Sequence, residues 1–225
     1  MTDSILQVNQ IKDKGGNATG ITVADTTANV TIGNLTTTLS STSTVPASVG
    51  GNEILLDTYD ANNTVSFKVF EFTGSYNVYR LRINYLRCSL DNSELKVDLG
   101  SSSSSFSSSS SDYRFVGHHG RSNGSNHYGG QLHVVNSSFI HFDNTGGGDS
   151  EGCSLDVLIV HPTASTTATF AYGNGYVYRQ DNYVMPFSIA TTAKYNPRND
   201  SHLKIYFNQG NLSKGKILLY GVKDA

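Results

Sequence analysis

Residues 78–88 read VYRLRINYLRC. Leu81 and Ile83 alternate with Arg80 and Arg82, and Tyr85 continues the face of Leu81 and Ile83. A period of two with apolar residues on one side and charge on the other is the pattern of a half-buried strand. Similar runs recur at short intervals outward from this one: EILLDTY, VSFKVFEF, ELKVDL, DYRFVG, QLHVV, FIHFD, CSLDVLIVH, TATFAYG, YVYR, PFSIATTA, HLKIYFN and KILLYGVK. Val65, Phe67 and Val69 share one face, and so do Leu203, Ile205 and Phe207. Turn residues separate the runs at Asn62-Asn63, Gly74-Ser75, Asp91-Asn92, Gly173-Asn174-Gly175 and Gly210-Asn211. No long stretch holds the i, i+3, i+4, i+7 spacing of a helix. Many short strands at even spacing predict an all-β fold, here an antiparallel jelly-roll sandwich over residues 53–225.

The composition agrees and excludes other classes. The chain has 225 residues, a net charge of −2 and only 15% charged residues. That balance is too weakly basic to follow a phosphate backbone, so nucleic acid is not expected as a partner. The low charge also excludes a long coiled coil. Hydrophobic residues make up 37% and aromatic ones 10%, enough to build a core. The start, MTDSILQVNQIKDKGG, lacks the cationic and apolar regions of a secretory signal. No run of about 18 apolar residues occurs, so membrane insertion is not expected. Cys88 and Cys153 each lie in an alternating apolar stretch and read most simply as buried free thiols, with a single disulfide as the open alternative.

Residues 1–35 carry three short alternating pieces whose apolar positions are Ile5, Val8 and Ile11, then Ile21 and Val23, then Val30 and Ile32. These pieces are too short and too poor in bulky side chains to form a core alone. They are expected to be an extended β segment for attachment or intertwining, with another protein or copies of the same chain as the partner. Residues 36–52 are polar, with one Pro and a Gly pair, and read as a linker or stem.

Three polar stretches interrupt the strand pattern and are expected to be loops: GSSSSSFSSSSS at 100–111, GHHGRSNGSNHYGG at 117–130, and NTGGGDSEG at 144–152. His118, His119, Arg121, Asn126, His127 and Tyr128 in the second are the candidate contact residues for a receptor, because aromatic and adaptable polar side chains suit glycan contact. His133 and His141 fall in strands nearby. The histidine spacing matches no metal motif. Asp143, Asp149 and Glu151 lack the regular spacing of a calcium loop. No GxSxG elbow and no phosphate-binding glycine motif occurs. No catalytic residue, metal or cofactor is therefore assigned. Arg80, Arg82 and Arg87 with Tyr79 and Tyr85 suggest an aromatic-basic face, and an outer sheet face of long side chains is the simpler reading.

Residues 71–99, EFTGSYNVYRLRINYLRCSLDNSELKVDL, resemble a pattern in structural proteins of tailed phages: a Ser-Tyr-x-x-Tyr strand, an apolar strand, an Asp/Asn turn and a Leu-x-Val-x-Leu strand. The C-terminus, HLKIYFNQGNLSKGKILLYGVKDA, resembles the final hairpin of the same family, and residues 5–37 are similar to N-terminal segments of marine phage virion proteins. The resemblance implies a virion protein without enzymatic activity, made in the host cytoplasm. It would be a trimeric fibre, spike or decoration protein on the tail, neck or capsid, in contact with other virion proteins. An alternative within it is a lectin-like tail-fibre head that binds a glycan of the host surface, and a third is a polysaccharide depolymerase.

Overall fold

In a computed structural model, residues 52–107, 112–122, 127–136, 138–145, 151–178, 184–193 and 199–223 are described, with backbone only for 121, 122, 127–136 and 143–145. The segment expected to anchor (1–35) and all of the expected stem before Asn52 lie outside them.

Among the described residues every regular element is a strand. The strands are β1 (Glu53–Ala61), β2 (Phe67–Glu71), β3 (Val78–Cys88), β4 (Ser93–Ser102), β5 (Ser105–Phe106), β6 (Tyr113–Ser122), β7 (His127–Asn136), β8 (Ile140–Thr145), β9 (Gly152–Val160), β10 (Phe170–Tyr178), β11 (Val184–Ala193), β12 (His202–Phe207) and β13 (Leu212–Val222). They form two antiparallel sheets. One has eight strands in the order β1-β13-β3-β9-β10-β11-β6-β7, and the other has the order β2-β12-β4-β5 with β8 also paired to β4. Up to β4 the chain changes sheet at every strand. It does so again from β8 to β9, and from β11 through β12 to β13. The pairs β6–β7 and β10–β11 extend the larger sheet beyond β9.

The two-residue alternation places the core. In β3, Tyr79, Leu81 and Ile83 are buried, while Arg80 and Arg82 point outward. Leu203, Ile205 and Phe207 of β12 and Leu95, Val97 and Leu99 of β4 face them from the smaller sheet within one buried cluster. Each such side chain contributes about 1.5–3 kcal/mol by leaving water. Aromatic pairs join the sheets. Phe142 of β8 stacks on Phe187 of β11 at 4.1 Å between centroids, and Tyr113 of β6 packs on Phe139 at 5.7 Å. The Tyr113 hydroxyl also accepts a hydrogen bond from the Leu99 N–H at 3.1 Å, so a polar tip is satisfied inside the core.

Several sequence expectations change in the structure. Phe67 is exposed, Val65 and Val69 are half-buried, and Phe70 takes the core position of β2. Tyr85 leaves the face of Leu81 and Ile83 because it sits at a bulge with φ +52°. There its N–H donates to Ser154 Oγ at 2.9 Å, and Gly215 opposite adopts φ +115°, where a Cβ would meet the Tyr85 carbonyl at 2.4 Å. The bulge ends the alternation, so Leu86, Arg87 and Cys88 are all buried in succession.

Each of the three stretches expected as loops contributes residues to strands. β4 continues to Ser102 and turns directly into β5, with Phe106 paired to Gly100. Residues 117–122 and 127–130 form the facing arms of β6 and β7, with Gly117 opposite Leu132 and Gly120 opposite Gly129. β8 runs on to Thr145. Gly173-Asn174-Gly175, expected as a turn between two strands, lies in the middle of the single strand β10. Cross-strand hydrogen bonding, on both sides in β6 and β10, outweighs the weak local preference of glycine and serine.

Candidate functional site

Register places the outward side chains of the larger sheet in rows across the strands. Arg82 of β3 lies opposite Asp156 of β9, Asp156 opposite Asn174 of β10, Asn174 opposite Ser188 of β11, and Ser188 opposite His118 of β6. This polar row crosses five strands, about 19 Å at the usual strand spacing of about 4.8 Å. Tyr172 and Tyr176 flank Asn174 along β10 and are 50% and 41% exposed, so their ring faces meet solvent.

The basic end of the row is held by a charge network. Arg80 donates through Nε and Nη2 to the two carboxylate oxygens of Asp156, both at 2.6 Å, and through Nη1 to Glu53. Arg82 lies more loosely, 3.4 Å from Asp156 and 3.7 Å from Glu53, with its guanidinium 5.4 Å from the Tyr220 ring centre. The Arg80 guanidinium holds the Asp156 carboxyl below the usual carboxylate range. The two arginines and two carboxylates balance, so the network has no net charge.

Two shallow recesses lie on this face. One, of about 550 Å³, is lined by Arg82, Asn84, Asp156, Asn174, Tyr176 and Tyr220 among others. The other, of about 470 Å³, is lined by His118, Gly120, Asn174, Pro186 and Ser188 among others. They share Asn174 and Gly175. Ser188 Oγ donates to Asn174 Oδ1 at 2.7 Å, which turns the amide so that its NH₂ has no partner among the described residues.

The candidate contact residues that are described lie along the paired strands β6 and β7. His118 points outward beside Ser188, while His119 is half-buried and opposes Phe187. The backbones of Arg121 and Tyr128 pair, as do those of Ser122 and His127. Asn126 lies outside the described residues. His141 belongs to the other sheet, 3.6 Å from Glu94. Among the described residues, no three His, Cys, Asp or Glu side chains cluster as metal ligands. Of the acidic trio, only Glu151 has a described side chain, and it is buried just before β9. The basic-aromatic strand separates into two faces: Tyr79 lies in the core, Arg80 and Arg82 lie outside, and Arg87 is buried. Both cysteines are buried free thiols, and burial pushes Cys153 up to about 12.

The outer face of the smaller sheet is built differently. Lys204 lies over the rings of Tyr206, Phe67 and Phe106 at 4.4, 5.1 and 5.6 Å. Beside it Asp98 is only 3% exposed. Tyr206 and Ser138 hydrogen-bond its carboxyl, and its Oδ1 has no partner among the described residues. Burial raises the pKa of Asp98 above its ordinary value, and burial with the neighbouring carboxylate raises that of Tyr206.

Comparison with family models, with curated proteins and with solved structures returns no match. Among the described residues no helix is long and apolar enough to cross a membrane.

Proposed function

We propose that the chain is a non-enzymatic structural protein of a tailed-phage virion: a homotrimeric fibre, spike or decoration protein with a jelly-roll knob. The observation that carries this reading is the strand order. The order β1-β13-β3-β9 opposed to β2-β12-β4-β8, with β5–β7 and β10–β11 read as insertions, supports a jelly roll. Jelly rolls recur in viral shells and in lectins. This is a likeness of architecture, and the segments that resemble phage virion proteins supply the direction. Those segments, residues 71–99 and 202–225, hold β3, most of β4, β12 and β13, all of them interior strands of the two sheets.

In this reading residues 1–35 anchor the chain to other virion proteins, 36–52 form the stem, and 53–225 are displayed. Trimerisation would cover apolar side chains that one copy leaves outside, such as Leu55 of β1, which is 50% exposed, and Phe170 of β10. Light scattering of the full chain at micromolar concentration is expected to give three times the chain mass of 24.3 kDa. A monomer would contradict the assembly.

A further inference from the structure

We propose that the trough across the outer face of the eight-stranded sheet binds a neutral oligosaccharide. The two recesses meet at Asn174 and Gly175, so the groove is open and elongated rather than a closed pocket. An open groove fits a chain that enters and leaves. A small cofactor would need a cavity that encloses most of its surface.

The side chains match the two surfaces of a sugar ring. A pyranose presents patches of C–H on its faces and hydroxyls around its rim. Tyr176 lines the trough with an exposed aromatic face, and Tyr172, outside both recesses, offers another on the same face of β10, about 13 Å away along the strand. Asn174 lies between them on the same face. The groove polar groups are planar or paired: the Asn174 amide, the Asp156 carboxylate and the Arg82 guanidinium. Each presents two adjacent hydrogen-bonding atoms, which suits two neighbouring hydroxyls.

These groups are also held in place before a ligand arrives. Arg80 fixes both oxygens of Asp156, and Ser188 fixes the Asn174 amide. Less side-chain freedom is then lost on binding. Charge decides the class of sugar. Arg80 and Arg82 are matched by Asp156 and Glu53, so the groove has no surplus cation for a uronic acid or a sulfated sugar. Of the expected contact set, His118 and His119 line the groove among the described side chains. The site goes beyond the virion reading and does not depend on the trimer.

The test uses the full chain on an array of neutral and acidic oligosaccharides, followed by calorimetric titration of the strongest neutral one. Binding to a neutral oligosaccharide is expected. Tyr176→Ala and Asn174→Ala are each expected to weaken it at least tenfold, with thermal midpoint and oligomeric mass unchanged. Phe67→Ala, an exposed aromatic on the other sheet, is expected to bind like the parent. No bound sugar, binding confined to acidic sugars, or binding indifferent to both trough variants would overturn the proposal. So would a changed oligomeric mass in Tyr176→Ala, since the face would then lie between copies. A trimer that binds no sugar fails this proposal alone, and a monomer that binds one fails only the assembly reading.

Discussion

Gly173→Ala is expected to cost about 3 kcal/mol of stability, at the upper end of what overpacking a tight site does. A Cβ at this position would sit 2.1 Å from the Asp156 carbonyl oxygen and 2.7 Å from the Val157 Cα. Both atoms belong to the backbone of β9, so no side-chain rotation relieves the clash. β9 would have to move, and it also pairs with β3 at the centre of the larger sheet. Gly120→Ala is the control, because its Cβ would meet only Pro186 Cγ at an ordinary 3.6 Å. Urea unfolding followed by circular dichroism measures both. A large fall in midpoint for Gly173→Ala and almost none for Gly120→Ala is expected. Equal midpoints would mean that residues 173–175 turn rather than run through the sheet.

Asp98→Asn is expected to stabilise the protein at neutral pH, against the usual direction of a core substitution. Burial is the main influence on Asp98 and raises its pKa, while hydrogen bonds from Tyr206 and Ser138 and the charges of Lys204 and Lys96 oppose it. The native state therefore binds this proton more tightly than the unfolded chain does. Stability is then greatest below the unfolded carboxyl value of about 3.9 and falls as pH rises through the higher native value. Asparagine keeps the shape and an acceptor oxygen without a charge to bury. The variant is expected to gain about 1 kcal/mol at pH 7, the order of one hydrogen-bonded polar group, and to lose the advantage near pH 3. Asp156 slopes the opposite way: Arg80 lowers its pKa, so its contribution is present above the unfolded value and disappears as pH falls. It is common to both proteins, and the difference between them isolates Asp98. A variant less stable than the parent at pH 7 would show that the lysines outweigh the burial of the charge.

The all-β fold was legible because alternation in β3, β9, β12 and β13 is strong. Leu81, Ile83, Leu203 and Ile205 are all buried where the period of two places them. What failed is local. Gly173-Asn174-Gly175 has the composition of a turn, and only its neighbours β9 and β11 make it strand. That misreading split β10 and concealed that Tyr172, Asn174 and Tyr176 share one face. Residues 117–122 and 127–130 of the GHHGRSNGSNHYGG run are extended for the same reason, since β6 pairs with both β11 and β7. Arg80 and Arg82 were visible as outward charges. Their carboxylate partners, Asp156 and Glu53, come from distant strands, and no spacing in the sequence announces that meeting. The Tyr85 bulge was hidden too, because a tyrosine at positive φ has no sequence signature and depends on Gly215 and Ser154 across the sheet.

Electron cryo-microscopy of the intact particle tests the assignment to a virion most directly. Density for residues 53–225 is expected as three-fold clusters of two-sheet sandwiches on the particle surface, with the N-terminal segments leading into neighbouring virion proteins. Purified, fully assembled particles that lack the chain would contradict it.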